Sequence, residues 1–217
     1  MLKRILKTAL RNADAELLRY YPLEKELIEA HPDMSLRDVL RVQALATGSQ
    51  IRLSEARFMG ELVRRSDPTR PIIEIGTLFG YSTRVIAANK APGQRLITVD
   101  NYSWNPLGLS SAAHKLATRL ALAEAIEEHD TTVLAMGAAE FYRGYSGAAP
   151  ALFFCDADHS YEAVLADLRW ALGVGATIIC GDDYEPPHDG VMRAVDELGG
   201  PSEKRGGLFV LRRDAAS

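Results

Sequence analysis

Ile72-Ile73-Glu74-Ile75-Gly76-Thr77-Leu78-Phe79-Gly80-Tyr81-Ser82-Thr83 is the stretch on which the fold turns. A β-branched apolar run reads as a buried strand, and it passes directly into Gly76 and Gly80 and then into a helix opened by Ser82. The glycines remove side chains where the backbone has to bend and come close to a ligand, and a helix start offers unpaired N–H groups. A tight strand-to-helix turn would account for the glycines alone. It would not account for Glu74, because a carboxylate near the end of an apolar strand is rarely buried without partners. The spacing departs from Gly-x-Gly-x-x-Gly, which argues against a nicotinamide cofactor.

Downstream of this turn the pattern repeats. Strands are expected at Pro71 to Ile75, Arg95 to Val99, Thr131 to Met136, Ala151 to Cys155, Thr177 to Cys180 and Leu208 to Arg212, with helices starting near Ser82, Ser111, Tyr161 and Gly190. Such alternation indicates βαβ units and a mostly parallel α/β sheet of about six or seven strands flanked by helices, in a core spanning 67–217. Before it, residues 1–66 read as a helical extension that caps the core without forming its own domain. There Leu36, Val39, Leu40 and Leu45 follow a Ser35 start, and Ser54 is expected to cap a helix over Glu55 to Arg65. Asn101 to Leu109, with Trp104 and Pro106, is long for a connection and reads either as a lid or substrate wall or as a plain surface loop.

The chain has 217 residues, 47% of them hydrophobic, enough for one substantial core. Its formal net charge of -4 gives no basic footprint for nucleic acid, so a small-molecule partner is expected. No apolar run approaches the roughly 20 residues of a membrane span, and the start Met1-Leu2-Lys3-Arg4 lacks the apolar stretch of a secretion signal, so a cytoplasmic protein is expected. Cys155 and Cys180 lie in apolar strands and read as buried reduced thiols.

Acids close three further strands. Asp100 follows Leu96-Ile97-Thr98-Val99, where in an open α/β sheet a carboxylate can accept hydrogen bonds from ribose hydroxyls. Asp156-Ala157-Asp158-His159 and Asp182-Asp183-Tyr184 end two more strands. If those strands are neighbours, Asp156, Asp182 and Asp183 converge, and crowded carboxylates call for a compensating cation. Oxygen ligands favour a hard ion such as magnesium, and pairing with nearby Arg or Lys is the alternative. His159 is the candidate general base, with a structural loop histidine as the other reading. His188 in Pro186-Pro187-His188-Asp189-Gly190 follows the acids, where a side chain could reach substrate, but nothing else in the sequence orients it and it reads as a helix-start loop.

Together these segments resemble the class I S-adenosylmethionine-dependent methyltransferases, over roughly residues 54 to 212. Glu74-Ile75-Gly76-x-x-x-Gly80-Tyr81-Ser82 is similar to the first motif of the catechol and caffeoyl-CoA O-methyltransferases, and Met136-Gly137-Ala138-Ala139-Glu140 to their turn beside the adenine. Asp156-x-Asp158-His159-Ser160-Tyr161-Glu162 and Asp182-Asp183-Tyr184 resemble the sugar and macrolide O-methyltransferases and the cephalosporin-hydroxylase-like proteins more closely. The resemblance implies a Rossmann-like fold and a metal-assisted O-methyltransferase acting on a small-molecule hydroxyl. It also implies a cofactor site of Glu74, Gly76, Gly80, Tyr81, Ser82, Asp100, Ala138, Ala139 and Asp156. Magnesium would sit on Asp156, Asp182 and Asp183, with Asp183 departing from the usual Asn, and Asp156 and His159 would be catalytic. A homodimer is admissible. The alternative is a cofactor- and metal-binding relative with another reaction or a non-catalytic role.

Overall fold

The computed structural model describes Glu29 and residues 51–211. The helices expected before residue 51, with the Ser35 start, and the end of the last strand at Arg212 lie outside the described residues. The elements in chain order are α1 (Leu53–Arg65), β1 (Ile72–Ile75), α2 (Tyr81–Asn89), β2 (Leu96–Asp100), α3 (Ser111–Ala121), α4 (Ala123–Glu128), β3 (Thr131–Ala135), α5 (Ala138–Gly144), β4 (Leu152–Cys155), α6 (Tyr161–Gly173), β5 (Ile178–Gly181), α7 (Asp189–Glu197), β6 (Pro201–Arg205) and β7 (Leu208–Leu211).

One sheet of seven strands runs in the order β3-β2-β1-β4-β5-β7-β6. β3, β2, β1, β4 and β5 are parallel neighbours, while β7 enters antiparallel beside β5 and carries β6 on its outer side. Because side chains alternate along a strand, β1 divides its residues between two cores. Ile73 and Ile75 pack with Phe153, Val164, Leu168 and Val195 on one face. Ile72 packs with Met59, Leu62, Ile86, Leu122 and Phe154 on the other. Both cysteines are buried and free, as expected. Among the described residues no helix is long and apolar enough to cross a membrane.

The helix start at α1 differs from expectation. Ser54 does not cap it; its buried hydroxyl has no partner. Arg52 holds the cap position instead, donating its backbone N–H to Glu55 Oε2 at 2.7 Å while its guanidinium pairs with the same carboxylate. Glu55 thus accepts both the backbone N–H and the guanidinium of Arg52, charge-assisted bonds that a serine hydroxyl cannot match. Glu55 also accepts the Gly207 N–H at 2.7 Å, tying α1 to the β6–β7 turn.

The parallel strands bring the segments after β1, β2, β4 and β5 to one edge, and the chain changes direction between β1 and β4. That switch point is where open α/β sheets hold ligands.

Candidate active site

The turn after β1 is built around two close approaches. Gly76, at φ +101, lies so near the Asp156 carbonyl that a Cβ would stand 1.8 Å from it. Gly80, at φ +82, caps α2, and a Cβ there would meet Leu122 at 2.6 Å. The helix therefore opens at Tyr81 with Gly80 as its cap, one residue earlier than Ser82 suggested.

Below the turn, Glu74 is fully buried. Its Oε2 accepts the Thr83 hydroxyl at 2.5 Å, whereas Oε1 has no hydrogen bond of good geometry. Burial pushes this carboxyl up to about 7, against the pull of nearby hydroxyls of Ser82, Thr83 and Thr98. Asp100 organises the turn from the side. Its Oδ2 accepts from the Thr77 N–H at 2.9 Å and the Leu78 N–H at 2.7 Å, and its Oδ1 from the Tyr102 N–H at 2.6 Å. A carboxylate offers about four lone-pair positions, so one remains for a ligand.

A cavity of about 670 Å³ opens above these residues. Such a volume falls within the roughly 300–1,000 Å³ typical of small-molecule sites. One wall is Gly76, Thr77, Leu78, Tyr81, Ser82 and Asp100; Met136 and Ala138 stand beside it. Of the residues expected around a cofactor, Gly76, Tyr81, Ser82, Asp100, Ala138 and Asp156 line the cavity, while Glu74 supports the turn from beneath. Phe79, Ile51 and, from the long loop, Asn101, Ser103 and Trp104 complete it. Four non-glycine residues have positive φ among those described, and three of them, Leu78, Tyr102 and Asp183, adjoin this cavity. Backbone strain of that kind collects at ligand sites.

The opposite wall carries the acids. Asp156, Asp182 and Asp183 all face the cavity, as do His159 and His188. His159 Nε2 lies 3.1 Å from Asp183 Oδ2 and 3.8 Å from Asp156 Oδ1. His188 Nε2 lies 3.3 Å from Asp183 Oδ1. Burial raises the Asp182 carboxyl well above the usual range, and the charges of Glu55, Asp156 and Asp183 push the same way. Asp183 rises by burial and the Asp156 charge, tempered by both imidazoles. The Asp156 carboxylate, with the charge of Asp183, pushes His159 up in turn. Behind this wall Asp167 accepts from the Tyr142 hydroxyl at 2.7 Å, and burial lifts it to about 6.

Residues 73–184, more than half of the chain, match the family described as Methyltransferase domain. The chain belongs to that family. No curated protein matches this methyltransferase in sequence. Solved structures do match its fold. An O-methyltransferase from Bacillus cereus in complex with SAH is 22% identical, with a TM-score of 0.58, covering 88% of this chain and 97% of its own. TomG from Streptomyces achromogenes, an O-methyltransferase involved in tomaymycin synthesis solved with SAM, is 22% identical at a TM-score of 0.52, covering 74% and 79%. CalS11, a TDP-rhamnose 3'-O-methyltransferase of calicheamicin biosynthesis, is 17% identical at 0.55, covering 91% and 94%. The methyltransferase thus has the class I, Rossmann-like fold of S-adenosylmethionine-dependent O-methyltransferases.

His188 is the site residue that sequence reasoning left in a loop. Its orienting partner, Asp183, is five positions earlier and at the end of another element, so only the fold reveals the pair. Phe79 is not singled out either, because an apolar residue beside a turn reads as packing, whereas Met136 opens the segment that resembles the turn beside the adenine.

Proposed function

We propose that this methyltransferase moves the methyl group of S-adenosylmethionine onto a hydroxyl of a small molecule, with 1–66 contributing the outer wall of the acceptor site. The observation that carries this is the opposition of the glycine turn and the acid–imidazole cluster across one cavity. The backbone of Gly76, Thr77 and Leu78 lines the space for the methionine end, and Asp100 retains an acceptor position for a ribose hydroxyl. Met136 and Ala138 offer an apolar edge for the adenine. These fit a nucleoside cofactor, and the SAH and SAM complexes named for two neighbours support it. The TDP-rhamnose named for CalS11 supports a small-molecule acceptor.

In the reaction the acceptor oxygen forms a bond to the methyl carbon as the carbon–sulfur bond breaks. The sulfur keeps the electron pair and leaves as a neutral thioether. Alignment of oxygen, carbon and sulfur is the main requirement, together with removal of the hydroxyl proton. That proton passes to the Asp156–His159 pair, which sits in the wall facing the turn. The acidic character of this wall supports a divalent cation there; when bound, such an ion would lower the hydroxyl's pKa.

The test is incubation of the full chain with S-adenosylmethionine and a panel of phenolic, sugar and polyketide alcohols, read by mass spectrometry. An acceptor gaining one methyl group with matched release of SAH is the expected result. Tight SAH binding with no methylated product from any acceptor class would overturn the reading in favour of a binding role.

A further inference from the structure

The geometry points to His159, Asp183 and His188 as a binding site for a borderline divalent transition ion, of the zinc, cobalt(II) or manganese(II) class, in place of an all-oxygen magnesium site. The three side chains bring their ligand atoms within 4.8 Å of one another. Each imidazole addresses a different oxygen of the same carboxylate, at 3.1 Å for His159 and 3.3 Å for His188. The two rings stand edge to face, at 90° with centroids 4.7 Å apart, so they converge on a point without stacking.

The backbone is shaped for this convergence. Asp183 leaves β5 at φ +63. Gly190, in the first turn of α7, lies against the loop after β4, where a Cβ would come within 2.3 Å of the His159 carbonyl. A bare glycine therefore sets how closely the segment bearing His188 approaches the one bearing His159. The site is half-buried and opens on the cavity, which leaves positions for exogenous ligands.

Donor chemistry selects the ion. Magnesium and calcium take oxygen ligands, whereas imidazole nitrogen suits zinc, manganese, iron and their neighbours, and two histidines with one carboxylate on one side of an ion is a known transition-metal arrangement. Asp156 lies beside the triad, 3.8 Å from His159, and adds negative charge that helps to hold a dication. With the His159 nitrogen occupied, Asp156 is the member of the catalytic pair that receives the acceptor's proton. The use of the ion rests on the methyl-transfer reading; its binding does not.

The test uses the full chain, freed of metal with a chelator and titrated with Co²⁺ or Mg²⁺ by calorimetry and visible absorption, with SAH binding measured alongside. One equivalent of Co²⁺ should bind with d–d bands that Zn²⁺ abolishes, and Mg²⁺ should bind far more weakly. His188→Asn and His159→Gln should each weaken Co²⁺ by at least about tenfold, while SAH affinity in the same samples stays unchanged and certifies the fold. Equal binding of Mg²⁺ and Co²⁺, lost on Asp182→Asn and kept in His188→Asn, would overturn the assignment, as would no binding of Co²⁺ by protein that binds SAH. Methyl transfer by the metal-free protein would leave the proposed function standing and the ion's role refuted. Co²⁺ bound by the triad with no transfer to any acceptor would do the reverse.

Discussion

Glu74 places an acid with a pKa near neutrality under the cofactor turn, and this makes stability depend on pH. Its carboxyl rises from an ordinary 4.5 to about 7, so the folded chain holds a proton that the unfolded chain releases. The resulting stabilisation is complete below about 4.5 and is lost as pH rises through about 7, a change of about 3 kcal/mol. Glu74→Gln should remove that slope, so that the variant gains about 3 kcal/mol on the parent between pH 4.5 and 8 in denaturant titrations. Parallel curves for the two proteins would refute the assignment. Asp100 acts on ligand and fold together, because it already binds three backbone N–H groups. Losing a hydrogen bond to a charged acceptor costs about 1.5–3 kcal/mol, so Asp100→Ala should weaken S-adenosylmethionine binding by roughly ten- to a hundredfold in calorimetry. It should also lower the melting temperature, which loss of ribose contact alone would not do.

Among the elements, those with an apolar period were legible in the sequence. β1, β2, β4 and β5 are buried hydrophobic runs, and their ends fell within a residue or so of expectation. β6 was not legible, because Pro201-Ser202-Glu203-Lys204-Arg205 lies at the sheet edge with Ser202 to Arg205 exposed, and no inward face is present to impose alternation. α4 and α5, of six and seven residues, are too short to show a helical period and are held by tertiary packing. The cofactor turn could be read because glycine spacing reports backbone geometry directly. The pairing of His159, Asp183 and His188 could not, because it depends on how α7 seats against the loop after β4. Gly190→Ala tests that seating: the added methyl should push the elements apart, lowering turnover on the order of a hundredfold while SAH affinity is kept. Unchanged turnover would show that the two loops are coupled less tightly than this contact implies.

At the scale of the molecule, the sheet separates two duties. The parallel half supplies the cavity at its carboxyl edge, and the antiparallel β6–β7 pair, anchored to α1 through Glu55, braces the segment after β5 from behind. Fold class and sheet direction were readable because they follow from alternation of strands and helices along the chain; the seventh strand and the shape of the cavity were not, because they arise from contacts distant in sequence. The polar outer strand also bears on quaternary assembly. Glu203, Lys204 and Arg205 crowd charge along that margin, Pro201 has no N–H to offer a neighbour, and a register shift between Pro201 and Glu203 breaks the regular ladder. Two copies cannot readily merge their sheets through such a border. Self-association has to recruit other surfaces, and α3, with Leu116 and Leu120 more than half exposed, offers apolar area for a contact between helices.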